Sequence, residues 1–185
     1  MLRLVAALAL LFGLAVPAAA QTPPAGLDPQ NTIVLTTKTG PVYIKLRPDL
    51  APKHVEQIKA LTKQGFYDGI VFHRVIDGFM AQTGDPTGTG MGGSKLPNVP
   101  AEFSQTPFKR GTVGMARSQS PNSANSQFFI CFADAPFLNG QYTVFGEVVG
   151  GMENVDKIKK GDQANNGTVA QPDKIVSMRL LADSK

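Results

Sequence analysis

Tryptophan is absent from the 185 residues, cysteine occurs once and histidine twice. A single cysteine, Cys131, permits no internal disulfide; set in an apolar run, it reads as a small buried hydrophobe. One Cys with two His (His54 and His73) is too few for a zinc site built from side chains, so no metal is expected. Residues 84–93 hold five glycines in ten positions, but no G-K-[ST] follows and no helix pattern opens after them. Neither nucleotide fingerprint is met, the segment reads as a structural loop, and no cofactor is expected. A G-x-S-x-G elbow and the familiar Cys-His signatures are missing as well. Asp77, Asp85 and Glu102 stand isolated beside turns and do not suggest a carboxylate pair. The formal charge of +4 comes from scattered Lys and Arg, at most two in a row, without a basic stripe, which argues against a nucleic-acid partner.

What is present begins with a targeting pattern. Residues 1–20 contain 17 hydrophobic residues and one charge, Arg3, and end in three alanines. A basic start, an apolar centre and an A-x-A end predict a secretory signal peptide cleaved before Gln21. The apolar run, residues 4–16, is shorter than the roughly 20 residues of a spanning helix. Membrane contact is therefore expected only during export. Cleavage would leave 165 residues, enough for one core without a disulfide or metal.

These 165 residues lean towards β structure: Val, Ile and Thr number 34 against 9 Leu, and Gly plus Pro number 31. Many short strands between Gly/Pro turns predict a sandwich or barrel. A Pro-rich leader covers residues 21–30. Strands are expected at 32–38, 42–46, 71–76, 79–82, 111–116, 127–132, 143–149 and 174–181. Helices are expected from Pro52 to a stop at Gly65, with Val55, Ile58 and Leu61 inward and His54 exposed, and at 153–160 with Val155 and Ile158 inward. One domain, residues 31–182, results.

Two segments resist a purely structural reading. Arg74 interrupts an apolar strand, and alternation puts Gln127 and Phe129 on one face of another strand with Phe128, Ile130 and Phe132 opposite. Pattern alone favours core strands with an edge-facing Arg and Gln. His73, next to Arg74, reads as a structural histidine bonded to a neighbouring loop.

The runs FHRVIDGFMAQTGD, GTVGMARSQSPNSANSQFFICF and PFLNGQYTVFGEVVGGMENVDKI occur in order between about Thr32 and Leu181. In these the chain resembles the cyclophilin-type peptidyl-prolyl cis-trans isomerases. The resemblance implies a mainly β fold, a closed eight-stranded antiparallel barrel capped by two α-helices. It implies Arg74 as the catalytic arginine and His73 as a supporting neighbour. Phe79, Met80, Phe129 and Leu138 would wall a proline pocket, Gln82 and Gln127 would hold substrate backbone, and Ala116 and Arg117 would form the strip under the residue before proline. Phe137 stands where many eukaryotic members have Trp, Tyr142 where they have His, and Arg117 where they have Asn; the loop at 118–126 is one residue longer. These departures resemble bacterial members and, with the signal peptide, make the periplasm the expected location. Phe137 lacks the indole N–H, so weak cyclosporin binding is implied.

The implied partners are proline-containing unfolded or partly folded polypeptides, met by a monomer. Two other readings stay open at this level. One is a proline-peptide binding module or holdase chaperone with little turnover; the other is a β-barrel carrier with an open apolar lumen.

Overall fold

The computed structural model describes residues 22–184. The expected signal peptide lies outside the described residues.

Eight antiparallel strands form one curled sheet. In chain order they are β1 (Thr32–Thr37), β2 (Gly40–Leu46), β3 (Arg74–Ile76), β4 (Met80–Thr83), β5 (Thr112–Met115), β6 (Phe128–Cys131), β7 (Val144–Gly150) and β8 (Ser177–Leu180). Across the sheet the order is β3-β4-β6-β5-β7-β2-β1-β8. The expected strand count holds, but closure of the barrel does not: the hydrogen-bonded order ends at β3 on one side and β8 on the other. The reason lies in the loop at residues 161–169, which occupies the free edge of β3. Gly161 donates to the Val75 carbonyl, Val75 to that of Gly167, and Val169 to that of His73. Backbone pairing across to the β8 side is made by the segments that precede the two strands, where Phe72 donates to Asp173 and Ile175 to Ile70. The seam is spanned by loop backbone, and β3 is correspondingly shorter than its apolar run.

α1 (Pro52–Lys63) packs against β8 and β7. Val55, Ile58 and Leu61 point inward, as their spacing requires. Gly65, at φ 67°, ends the helix in a Schellman motif, with Gly65 donating to Thr62 and Phe66 to Leu61. His54 is not exposed: its relative accessibility is 0%, and its ring is held by Glu102. A periodicity count misses this because the partner is 48 residues away. α2 (Met152–Asp156) is shorter than the sequence suggests. Ile158 donates to Val155, three residues back, and the Lys159 N–H turns aside to Asp173.

Alternation gives several strands two buried faces. Phe128, Ile130 and Phe132 join Ile33, Leu35 and Val113 in the main core, which α1 and α2 cover with Val55, Ile58 and Val155. Tyr67, Phe128 and Phe145 run through it edge to face. Side chains fill the space that a carrier would keep open, which overturns that reading. On the opposite face Met80, Phe129 and Cys131 build a second cluster with Phe108 and Leu138. Cys131 is buried, as its setting predicts. Gly114, paired with Phe129, has no Cβ for a physical reason: one would lie 2.6 Å from both the Phe108 and Phe129 rings.

Candidate active site

The second cluster is the floor of a cavity of about 410 Å³. Met80 enters it from β4 and Phe129 from β6, while Leu138 and Phe137 come from a 3₁₀ turn, Pro136–Leu138. Phe79 lies beside Phe137, with ring centroids 5.2 Å apart. Phe129 is stacked on Phe108 beneath and edge-on to Tyr142 at the side. Ala116 and Arg117 complete one wall, and Arg74 and Gln82 another. Met80, Phe129 and Leu138 are almost fully buried, whereas Phe137 is 61% exposed at the rim.

The polar wall follows from strand register. Arg74 and Gln82 are direct partners on β3 and β4, and Gln82 pairs with Phe129 on β6. Arg74 Nη1 donates to Gln82 Oε1 at 3.1 Å, and Gln82 Nε2 donates to Gln127 Oε1 at 2.9 Å. Gln127 Nε2 then donates to the Gly90 and Gly92 carbonyls. This chain sets each amide's orientation, because each NH2 group needs the next acceptor. Its far end rests on Asp85, which is not isolated: its carboxylate accepts the N–H groups of Thr87, Gly90 and Gly92. Burial alone would raise the Asp85 carboxyl, but these donors outweigh it and bring it down to about 2. The Gly-rich segment is thus a structural loop, folded around one carboxylate.

The other side of Arg74 is held by a residue the sequence reading missed. Asn166 accepts Arg74 Nε on its backbone oxygen at 3.0 Å and Nη2 on Oδ1 at 2.9 Å. It does so from the left-handed region, φ 54°, which Asn tolerates better than most residues. Its Asn-Gly pair marks a turn, but only the loop along the edge of β3 brings it to Arg74. Burial works against the charged form of Arg74, yet a guanidinium keeps its proton in proteins. Replacing Asn166 by Gly should keep the backbone shape and remove one acceptor. About a tenfold fall in kcat/KM is expected, roughly the worth of one hydrogen bond to a charged group. An unchanged kcat/KM in a peptide exchange assay would show that Asn166 Oδ1 does not matter.

The remaining expected residues divide. Gln127 lines a neighbouring polar cavity of about 610 Å³, which shares Gln82, Ala116 and Arg117 with the first. Gln141, not foreseen, lines the apolar cavity. His73 is buried and lines neither cavity, and among the described residues its ring finds no loop group for the hydrogen bond expected of it. Burial, helped by the neighbouring Arg74 charge, holds its imidazole below the usual range, and the Asp85 carboxylate opposes this only in part.

Residues 32–180 match the family model described as cyclophilin type peptidyl-prolyl cis-trans isomerase/CLD. A probable peptidyl-prolyl cis-trans isomerase of Brucella suis biovar 1 is 62% identical over 169 residues, covering 85% of this chain and 86% of its own. Among solved structures, the cyclophilin AquaCyp293 of Hirschia baltica superposes with a TM-score of 0.76 at 29% identity, over 86% of this chain and 77% of its own. A Cryptosporidium parvum cyclophilin-type isomerase, crystallised in the presence of the dipeptide Ala-Pro, gives 0.73 at 30% identity, over 80% and 98%. With an arginine fixed at the wall of an apolar pocket on a curled eight-stranded sheet, and with these relatives, the chain belongs to the cyclophilin-type peptidyl-prolyl cis-trans isomerases.

Proposed function

We propose that the 410 Å³ cavity takes the proline ring of an exported polypeptide and that Arg74 drives the rotation of its X-Pro bond. The observation that carries this is the position of Arg74, clamped between Gln82 and Asn166 beside Phe79, Met80 and Phe129.

The chemistry asks for little else. Rotation breaks no covalent bond to the substrate and moves no proton. The barrier, roughly 18–20 kcal/mol, comes from the partial double-bond character of C–N. Twisting localises the lone pair on the proline nitrogen, and a guanidinium N–H aimed there is more favourable in the twisted than in the planar amide. Phe79, Met80, Phe129 and Leu138 hold the ring still while the preceding carbonyl swings. They also exclude water, which favours the charge-separated planar form. Gln82 and Gln127 offer neutral hydrogen bonds to substrate backbone, and His73, kept neutral, packs beside Arg74 without proton transfer. This division of labour suits a chain so poor in Cys and His.

The test is cis-trans exchange in an Ala-Pro peptide followed by NMR without a coupling protease. Acceleration at catalytic concentrations of the chain supports the reading, and exchange at the uncatalysed rate sinks it. The composition of residues 1–20 supports export to the periplasm with cleavage before Gln21, and the cyclophilin-like unit acting as a monomer is part of the same proposal. An N-terminus other than Gln21 on protein recovered from that compartment would overturn the cleavage site.

A further inference from the structure

The five arginines among the described residues fall into two groups. Arg47 forks onto Asp49, Arg110 onto Asp156 and Arg179 onto Asp68. Arg74 and Arg117 have no carboxylate partner among the described residues: all their hydrogen bonds go to carbonyl oxygens. Both line the apolar cavity, and Arg117 also lines the neighbouring polar one. Among the described residues, neither cavity is lined by an Asp or Glu. The nearby Asp85 sits behind the Gly-rich loop, with both oxygens occupied by Thr87, Gly90 and Gly92. Its charge is turned inward.

Arg117 is also held in place. Nη1 donates to the Ser118 and Gln119 carbonyls and Nη2 to that of Gln141, while the guanidinium lies 4.5 Å from the centre of the Tyr142 ring. Neutral acceptors and an aromatic face fix a cation without neutralising it. The two cavities share Gln82, Ala116 and Arg117. A polypeptide whose proline fills the apolar cavity therefore lays an adjoining residue on this shared wall.

We infer that the groove selects the charge of the residue before proline, favouring Asp-Pro and Glu-Pro over Lys-Pro and Arg-Pro, with Arg117 as the specificity-determining residue. This rests on the reading that the proline occupies the apolar cavity and its predecessor the Ala116–Arg117 strip. A carboxylate there gains from two uncompensated positive charges, and an ammonium loses by them. Partial solvent screening keeps each effect to a few-fold, so about tenfold separates Glu from Lys.

The experiment compares kcat/KM on three peptides that differ only in Glu, Gln or Lys before proline, read by protease-free exchange. The native chain should order them Glu, Gln, Lys, with a Glu-to-Lys ratio of about ten at low salt that shrinks towards one in 1 M salt, where the screening length is about 3 Å. Arg117→Gln should cut the ratio to about three, the share left to Arg74, and Arg117→Lys should keep most of it. A native ratio near one, or one indifferent to both salt and Arg117→Gln, would overturn the inference. If Arg117→Gln fails to fold, the salt dependence of the native chain decides alone. Failure to accelerate even the Gln peptide would overturn the isomerase reading of the groove and this inference with it, whereas equal acceleration of all three overturns only the latter.

Discussion

Arg74→Ala should lower kcat/KM on an Ala-Pro peptide by about 10²–10³, with the fold intact. Losing one well-placed donor to a transition state typically costs about 2.7–4 kcal/mol, which is this range. The loss should fall mainly on kcat, because the apolar cavity that binds the ring is built from other residues. Folding should survive because Arg74 is partly exposed at the start of a three-residue strand and belongs to neither hydrophobic cluster. The thermal midpoint should move by only a few degrees. Arg74→Lys should recover little: an ammonium cannot hold Gln82 and both acceptors of Asn166 while also facing the substrate, and it lacks the planar fork. Activity within a few-fold of the native chain in a well-folded Arg74→Ala protein would take Arg74 out of the mechanism and leave ring immobilisation and desolvation as its source.

What the sequence reveals and what it hides divide along the same lines as local and long-range structure. β6 is readable because a strand has period two: Phe128 and Ile130 could only fall on one face, with Phe129 on the other, and they enter separate clusters. α1 is readable because Val55, Ile58 and Leu61 share a face and Gly65 supplies the left-handed stop. The residues named for the groove come from the family resemblance; periodicity by itself left Arg74 as an interruption in a core strand. Hidden altogether is whatever depends on partners far apart in sequence. Asn166 is 92 residues from Arg74. Nothing local indicates that the loop carrying it takes the edge of β3, where a closed barrel would place β8. The open seam and the clamp on Arg74 are thus one feature: the backbone pairing that interrupts the barrel also delivers the second support of the guanidinium.

Glu102→Ala should cost about 3 kcal/mol of stability at neutral pH, the largest effect expected from a single polar side chain here. α1 begins at Ala51 and Pro52 without a capping side chain of its own. Glu102 supplies the cap from a distant loop: Oε1 accepts the Lys53 N–H at 3.2 Å, and Oε2 accepts the His54 N–H at 3.1 Å and His54 Nδ1 at 2.6 Å. Burial holds the His54 imidazole below its usual range, more strongly than Glu102 raises it. The ring is therefore neutral with its proton on Nδ1, which leaves a lone pair on the buried Nε2 with no partner among the described residues. Alanine at 102 would strand a buried ring donor and two helix-end donors together. Such a loss corresponds to a midpoint lower by about 6–12 °C in a chain of this size. Acid should do by titration what the mutation does by deletion. Burial would raise the Glu102 carboxyl, but the His54 ring and the two backbone N–H groups outweigh it and hold it below its ordinary value of 4.5. Both groups thus titrate lower in the folded than in the unfolded chain. Their stabilisation is complete above the unfolded values, begins to fade as pH falls through about 6.5 for His54, and fades further below about 4.5 for Glu102. Because His54 titrates in both proteins, thermal unfolding of native and Glu102→Ala proteins should show a wide gap at pH 7.5 that narrows only below about pH 4.5, where Glu102 itself takes up a proton. Glu102→Gln, which retains an acceptor for the helix end, should lose only about 1 kcal/mol. A gap that stays constant across this range would mean that Glu102 holds α1 by packing and not by its charge.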